Sequence, residues 1–302
     1  MDFETVCGGL RFPEGPVWML DGSVIVVEIE AGRITRIRPD GGRETAATPG
    51  GGPNGGAIGP DGALYVTNNG GLVCTETDGI LFTDGSAIPG YQTGSIERVD
   101  LRTGAVERLY DTVDGRQLWG PNDIVFDTSG GFWFTDLGKR FEHHRRDGGI
   151  FYALPDGSSI RRVVDHVQVN GIALSPDGKR LYASVTDERL LLEFDVVGPG
   201  ELAASPVPGR VAASFPGRQM LDSMAVTADG HVCVGALFEN PGIAEVDPMS
   251  GKYSIHPFPD IYTTNICFGG KDMRDAWITL STTGRLVKAR WSRPGLRLAF
   301  YA

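Results

Sequence analysis

The chain has 302 residues, of which 41% are hydrophobic, enough to bury a sizeable core in one large domain or in two smaller ones. Its 43 glycines and 19 prolines favour many tight turns and short strands over long helices. The 28 basic and 38 acidic residues give a net charge of −10. No Lys/Arg cluster offers a surface for tracking phosphates, which argues against nucleic-acid binding.

The sequence shows no pattern typical of a membrane helix or of a secretion signal. No apolar run approaches the ~18 residues of a membrane helix. The opening stretch MDFETVCGGLRF has neither a basic nor an apolar region of a secretion signal. Cys7, Cys74, Cys233 and Cys267 lie far apart and form no CxxC pair. We therefore expect four free thiols in a cytoplasmic protein that binds no membrane.

Six related segments follow one another along the chain. Each begins with an oxygen-bearing side chain, continues through apolar residues and reaches an Asp, or once a Ser, seven positions later. In chain order the segments begin at Glu14, Asn54, Asn122, Asn170, Asp222 and Asn265. In the first five, a glycine follows the Asp or Ser, which is typical of a β-hairpin turn. A β-prone run such as VIVVEI or FWFTD comes after every turn.

Further alternating runs complete each repeat. A third run, and often a weaker fourth, follows most of the turns, and no segment shows a sustained helical period. Four antiparallel strands repeated six times predict an all-β fold, a six-bladed β-propeller that occupies residues 1–302 as a single domain. A β-sandwich with an accidental series of Asp-Gly turns is the alternative. Either FETVCGG near the start or LRLAFYA near the end could close the ring.

Two repeats carry insertions, at 68–94 and at 137–149. Because loops on a rigid scaffold often supply substrate contacts, these insertions could form a lid over a site. Their candidate lid residues are Phe82, Tyr91, Phe141, His143 and His144. Ordinary surface loops are the alternative, and the charged surroundings of the two histidines, KRFEHHRRD, favour a solvated position for them.

The six segment starts should meet at one place. The first strand of each propeller blade lines the central channel, so the six oxygen-bearing side chains should form a ring at one face. Glu14 and Asp222 would repel each other there, and a bound divalent cation would remove that cost. With neutral amide oxygens, the ring suits Ca²⁺ first and Mg²⁺ or Mn²⁺ next, while Zn²⁺ and Fe²⁺ stay open. Asn and Asp that only cap turns are the structural alternative.

Four motifs carry a family resemblance. EGPVW (14–18), GPNDIVFD (120–127), VNGIALSPDGKRLYAS (169–184) and LDSMAV (221–226) resemble the senescence marker protein/gluconolactonase (regucalcin-like) family of metal-dependent six-bladed propeller hydrolases. The resemblance implies the metal ligands Glu14, Asn122, Asn170 and Asp222. It leaves Asn54 and Asn265 to support those ligands or to face the substrate.

Two departures from the family pattern stand near these motifs. Ser223 occupies a position where the family often has glycine. An Arg that some sugar lactonases place before the central Asn is replaced by Trp119-Gly120-Pro121. The second departure puts an aldonolactone substrate in doubt and indicates a less polar pocket.

The resemblance implies hydrolysis of a lactone, with the cation polarising the carbonyl and with Asp222, Asn122 and Glu14 as catalytic groups. Asp222 would be either the general base or the nucleophile. The residues expected to contact substrate are Asn54, Trp119, Asn265, Tyr91 and His143. Asp123 and Asp136 would either position the ligands or make strand-end hydrogen bonds.

Two other functions fit the same pattern. The cation site could act on an organophosphate or another activated ester in place of a lactone. The chain could also be a non-catalytic calcium-binding propeller, because a fold alone does not imply a function.

Overall fold

Six four-stranded antiparallel sheets, the blades, make up the body of the computed structural model, which describes residues 1–301. Blade 1 contains Pro13–Trp18, Val24–Glu28, Arg33–Ile37 and Arg43–Ala47. Blade 2 contains Pro53–Ile58, Leu64–Asn68, Ser95–Val99 and Val106–Tyr110. Blade 3 contains Pro121–Phe126, Phe132–Asp136, Gly149–Ala153 and Ile160–Asp165.

The second half of the chain repeats the arrangement. Blade 4 contains Val169–Leu174, Arg180–Val185, Leu190–Gly198 and Arg210–Ser214, with the short strand Glu201–Leu202 on its third strand. Blade 5 contains Met220–Val226, Val232–Leu237, Gly242–Val246 and Tyr253–Pro257. Blade 6 contains Thr263–Gly269, Asp275–Leu280, Arg285–Arg290 and Phe3–Cys7.

The blades form a closed ring. The innermost strand of each blade lies against the innermost strands of the blades before and after it, and blade 6 returns to blade 1. The predicted propeller with four antiparallel strands per blade is therefore confirmed. Phe3–Cys7 pairs with Arg285–Arg290 and settles which end of the chain closes the ring. The glycines of the five predicted Asp/Ser-Gly turns adopt φ between 68° and 91°, as hairpin turns require.

Six apolar clusters lie between the six pairs of adjacent blades. Alternate residues of each strand face opposite neighbours, so a strand between two blades is apolar on both faces. Ile25 of blade 1 and Leu64 of blade 2 have no exposed surface in one such cluster. Burying a side chain of this size contributes about 1.5–3 kcal/mol, so blade-to-blade packing contributes strongly to stability.

The two insertions form structure of their own. A further four-stranded sheet, which we call the covering sheet, contains Leu72–Thr77, Ile80–Ala87, Lys139–Arg140 and Arg145–Arg146. A small hairpin joins Thr112–Val113 to Arg116–Gln117. No helix long and apolar enough to cross a membrane occurs in residues 1–301. All four cysteines are free, as the sequence predicts.

Candidate active site in the central channel

The six predicted ring residues lie at equivalent places in the six innermost strands. Each is the second or third residue of its strand, and each is at most 8% exposed. In every blade the register between the first and second strands shifts at this point. Such a bulge leaves backbone groups without a partner on the neighbouring strand and redirects the local side chains. The structure therefore brings Glu14, Asn54, Asn122, Asn170, Asp222 and Asn265 to one level of the channel.

Hydroxyl groups satisfy the backbone at three of these bulges. Thr135 accepts a hydrogen bond from Asp123 N at 3.0 Å and donates one to the carbonyl of Asn170 in the next blade. Ser184 accepts from Gly171 N at 2.8 Å and donates to the carbonyl of Asp222 at 2.7 Å. Thr67 does the same for Gly55 and the carbonyl of Asn122. Each hydroxyl thus ties one ring residue to the preceding blade.

Close backbone contact explains the glycine after Asn170. A Cβ atom at Gly171 would lie 2.6 Å from the carbonyl oxygen of Asp222 in blade 5. No side chain fits at that distance, so glycine allows blades 4 and 5 to approach at the level of the ring. Ser184 also bonds to Gly171 N and to the carbonyl of Asp222, so blades 4 and 5 are held close together here.

The carboxylates of the ring are buried together. Burial raises the pKa of Glu14 to about 7. The pKa of Asp222 lies well above its usual range, first because of burial and then because of the negative charges of Glu14 and Asp123. Burial, and then the charge of Glu14, also raises the pKa of Asp123. A positive charge in the channel would relieve this repulsion.

Two amide oxygens test whether a cation fits. Asn122 Oδ1 and Asn170 Oδ1 are buried, and neither accepts a hydrogen bond within residues 1–301. A buried acceptor without a donor is costly, whereas a hard cation takes such oxygens as ligands. Within the described chain, no three His, Cys, Asp or Glu side chains are grouped to hold a metal on their own. A cation here would therefore need the amides, and the set of Glu14, Asp222, Asn122 and Asn170 fits a hard divalent ion.

The side chain of Asn265 is engaged inside the protein. Its Nδ2 donates to Glu14 Oε2 at 3.0 Å, and its Oδ1 accepts from Ile266 N at 2.8 Å. Glu14 Oε2 also accepts from Gly15 N at 3.0 Å. This geometry matches the alternative in which Asn265 supports a ligand. Asn54 stays in the ring, 6% exposed.

Asp136 makes strand-end hydrogen bonds and fixes the segment that leads to Asn122. Its carboxylate accepts from the backbone N–H groups of Trp119, Gly120 and Gly138, each at 2.7 Å. Burial nevertheless raises its pKa. The Lys139 ammonium, also buried, donates to the carbonyls of Asn69 and Gly71 at 2.6 and 3.0 Å. These two buried charged groups fix the chain where each insertion leaves its blade.

The covering sheet crosses the ring's face of the propeller. Leu81 packs against Phe12 and Ile29 of blade 1, and its N–H bonds to the carbonyl of Thr282 in blade 6. The Tyr262 hydroxyl donates to the carbonyl of Thr83 at 3.0 Å. Burial, and then the charge of Asp222, raises the pKa of Tyr262 to about 12. Tyr262 thus links the site to the covering sheet. Its place in the sequence, just before the innermost strand of blade 6, did not indicate this role.

Aromatic side chains of both insertions gather beside Trp119. The rings of Tyr91 and Trp119 stack with centroids 6.4 Å apart, and Phe141 meets both rings edge-on. His144 stacks on Phe141 at 4.7 Å. His143, in contrast, has a side chain that is 84% exposed. The structure therefore groups Tyr91 with Trp119 and leaves His143 in solvent, as the alternative for this charged loop predicts.

Comparison with known proteins is consistent with this geometry. The family described as SMP-30/Gluconolactonase/LRE-like region matches residues 12–282. A gluconolactonase from Zymomonas mobilis is 27% identical over 205 residues, which are 61% of this chain and 51% of the relative. A lactonase drp35 from Staphylococcus saprophyticus is 34% identical over 114 residues, 37% of this chain and 34% of the relative. The chain thus spans about half or less of the length of these relatives.

Solved structures show the same fold. A gluconolactonase from Xanthomonas campestris superposes with a TM-score of 0.75 at 22% identity and covers 97% of this chain and 89% of its own. A calcium-binding protein, regucalcin, from Agrobacterium tumefaciens superposes with a TM-score of 0.73 at 16% identity and covers 98% of both chains. At such identities the likeness concerns the fold alone.

Proposed function

The chain belongs to the SMP-30/gluconolactonase/LRE-like family, and on that premise we propose that it is a lactonase that hydrolyses a small-molecule lactone with the help of a divalent cation, Ca²⁺ first among the candidates. The observation that carries the proposal is the meeting of Glu14 and Asp222 with the two unpartnered amide oxygens of Asn122 and Asn170. The names of the gluconolactonase and lactonase relatives support the substrate class.

Four of the six ring residues are the proposed cation ligands. Glu14, Asn122, Asn170 and Asp222 would hold the cation, whose Lewis acidity polarises a carbonyl and stabilises negative charge on its oxygen. Asn265 keeps Glu14 oriented through the 3.0 Å hydrogen bond. Burial of the ring under the covering sheet limits competing water.

In this proposal Asp222 promotes attack on the carbonyl carbon. It either accepts a proton from the attacking water or attacks the carbon itself. In both routes the ring C–O bond breaks, the ring oxygen takes a proton, and the product is a hydroxycarboxylate. Direct attack forms a mixed anhydride between the opened lactone and Asp222, which water then hydrolyses to free the hydroxycarboxylate and Asp222. In a single turnover in ¹⁸O-labelled water, label in the Asp222 carboxylate identifies this route with water attacking the Asp222 carboxyl carbon, whereas general-base catalysis labels only the product.

One aromatic pair bears on the choice of substrate. Trp119 occupies the segment before Asn122 where some sugar lactonases have an Arg, and it stacks with Tyr91. Together they favour lactones with an apolar substituent over polyhydroxylated aldonolactones.

A proton-release assay on a lactone panel tests the proposal. The metal-free protein is supplied in turn with Ca²⁺, Mg²⁺, Mn²⁺ and Zn²⁺, and organophosphates are included as the competing substrate class. Asp222→Ala should abolish turnover, while Asp40→Ala, a change at an exposed turn, should leave it intact. Turnover by Asp222→Ala near that of the unsubstituted chain would reject the role of Asp222.

Cation binding needs a readout apart from activity. Calorimetric titration of Ca²⁺ should show saturable binding to the unsubstituted chain and a marked loss of affinity in Glu14→Gln. Binding without turnover on any ester would favour a calcium-binding propeller. Turnover that persists after verified removal of metal would exclude metal-assisted hydrolysis.

A further inference from the structure

A cavity lies in the channel at the end opposite to the covering sheet. Its volume is about 580 Å³, within the range of about 300–1,000 Å³ typical of small-molecule sites. It extends from the mouth of the channel up to the ring, where Asp123 and the ring residue Asn265 line its inner end. Much of its wall comes from apolar residues of the six innermost strands, namely Val17, Ile58, Phe126, Leu174, Met224 and Phe268.

The segment Leu296–Tyr301 crosses the mouth of this cavity, and we call it the strap. Its backbone is fixed at Leu296, whose N–H bonds to the carbonyl of Val226 at 2.8 Å. Beyond Leu296, no backbone-to-backbone hydrogen bond joins residues 297–301 to the rest of the described chain. Phe300 packs on Phe126, and Tyr301 packs on Trp18. A segment held by two aromatic side chains can shift at low cost to admit a ligand.

Three polar groups of the wall make no side-chain hydrogen bond or ion pair within residues 1–301. Trp133 is fully buried, and its Nε1–H donates to no acceptor within residues 1–301. Lys179 is exposed at the cavity and forms no direct ion pair within residues 1–301, although its charge acts on the nearby Asp177. The neighbouring Asp177 carboxylate is already taken, because it accepts from Ser175 Oγ at 2.6 Å and from Lys179 N at 3.0 Å. The Asp127 carboxylate is likewise engaged, because it accepts from Ser129 N and from the Tyr152 hydroxyl, each at 2.9 Å. Arg297 of the strap is a second exposed cation at the cavity. An indole donor and two cations beside an apolar channel match an anionic amphiphile.

We propose that this cavity binds an aliphatic carboxylate, with its hydrocarbon chain along the channel and its head near the Lys179 side. Lys179 supplies the charge, and Trp133 supplies a hydrogen-bond donor on the wall. The apolar strand residues replace water around the chain, at about 0.8 kcal/mol for each buried CH₂. The ligand class follows from these groups and does not depend on the reaction proposed for the ring.

Calorimetric titration of the full chain with decanoate, kept below its micelle concentration, tests the proposal. Saturable binding of one decanoate is expected. Lys179→Gln should weaken decanoate binding about fivefold, the effect of losing a partly exposed charge pair worth about 1 kcal/mol. The neutral analogue decanamide should bind equally well to both proteins. Because Lys179 is exposed, the substitution should not disturb folding.

A matched substitution controls for general charge effects. Lys271 is also exposed, lies in the equivalent turn of blade 6 and does not line the cavity. Lys271→Gln should bind decanoate like the unsubstituted chain. No saturable binding, or an equal loss in Lys271→Gln and Lys179→Gln, would overturn the proposal.

The indole group provides an independent readout. In protein labelled with ¹⁵N-tryptophan, the Nε1–H resonance of Trp133, assigned by its disappearance in Trp133→Phe, should shift when decanoate is added. The resonance of Trp119, at the other end of the channel, should stay in place. A shift of Trp119 without a shift of Trp133 would place the ligand elsewhere and reject this site. Titration with 4-hydroxydecanoate distinguishes two origins of the carboxylate ligand. Tighter binding than that of decanoate indicates that the ligand is the product of lactone hydrolysis, and weaker binding indicates that it is a free fatty acid.

Discussion

Thr135→Val tests whether a buried hydroxyl holds the ring together. The substitution keeps the shape of the side chain, which has no exposed surface, and removes one oxygen. That oxygen accepts from Asp123 N and donates to the carbonyl of Asn170. The isosteric change opens no cavity, so the loss of stability measures the two hydrogen bonds and the two stranded backbone groups.

The expected magnitude follows from those two groups. Each buried backbone group left without a partner costs about 1–3 kcal/mol. Two such groups, partly relieved by relaxation, should lower the free energy of unfolding by about 2–4 kcal/mol. Because Asn170 is a proposed cation ligand, the affinity for Ca²⁺ should fall as well.

Urea denaturation followed by circular dichroism gives the free energy, provided that the slope with urea is unchanged. Thr135→Ser keeps the hydroxyl and is the control; Ser184 in blade 4 shows that serine can fill this role. Stability of Thr135→Val within about 0.5 kcal/mol of Thr135→Ser would refute the reasoning.

Three further predictions concern charges and amides around the ring. Asp136→Ala leaves three buried N–H groups without an acceptor and should lower the free energy of unfolding, measured by urea denaturation, by about 3–5 kcal/mol. Asp136→Asn should recover part of this loss. Asn265→Ala removes the donor to Glu14 and should weaken Ca²⁺ binding about tenfold in calorimetry; unchanged affinity would show that Glu14 needs no support. Burial lowers the pKa of Lys139 from 10.5 to about 7, so between these pH values the folded chain binds fewer protons than the unfolded chain. The free energy of unfolding, relative to Lys139→Met, should therefore rise with pH across this window, by up to about 1.4 kcal/mol per pH unit, and a flat difference would contradict the shift.

The blade count and the ring could be predicted because both repeat. The turn residue follows the ring residue by the same seven positions in all six repeats, so six weak sequence patterns support one another. The convergence of Glu14, Asn122, Asn170 and Asp222 then follows from the geometry of any propeller. The closing strand could not be chosen in advance, because both ends of the chain alternate like strands and only pairing decides between them.

The bulges and the covering sheet were not predictable in the same way. Thr67, Thr135 and Ser184 occur in β-prone runs where a hydroxyl is unremarkable, and only the register shift shows that each fills a gap. The covering sheet joins Arg140 to Ser86, residues from two separate insertions, and such pairing depends on how close blades 2 and 3 hold them. The exposure of His143 is likewise decided by that sheet.

Closure by Phe3–Cys7 has a consequence for synthesis of the protein. The pairing of Phe3 with Ala289 joins residues separated by almost the whole chain, so this contact forms only after blade 6 has left the ribosome. Until then the nascent chain exposes an unpaired strand at its start and an incomplete circle of sheets, and both invite association with other chains. Translation speed and chaperone supply should therefore affect the yield of folded protein.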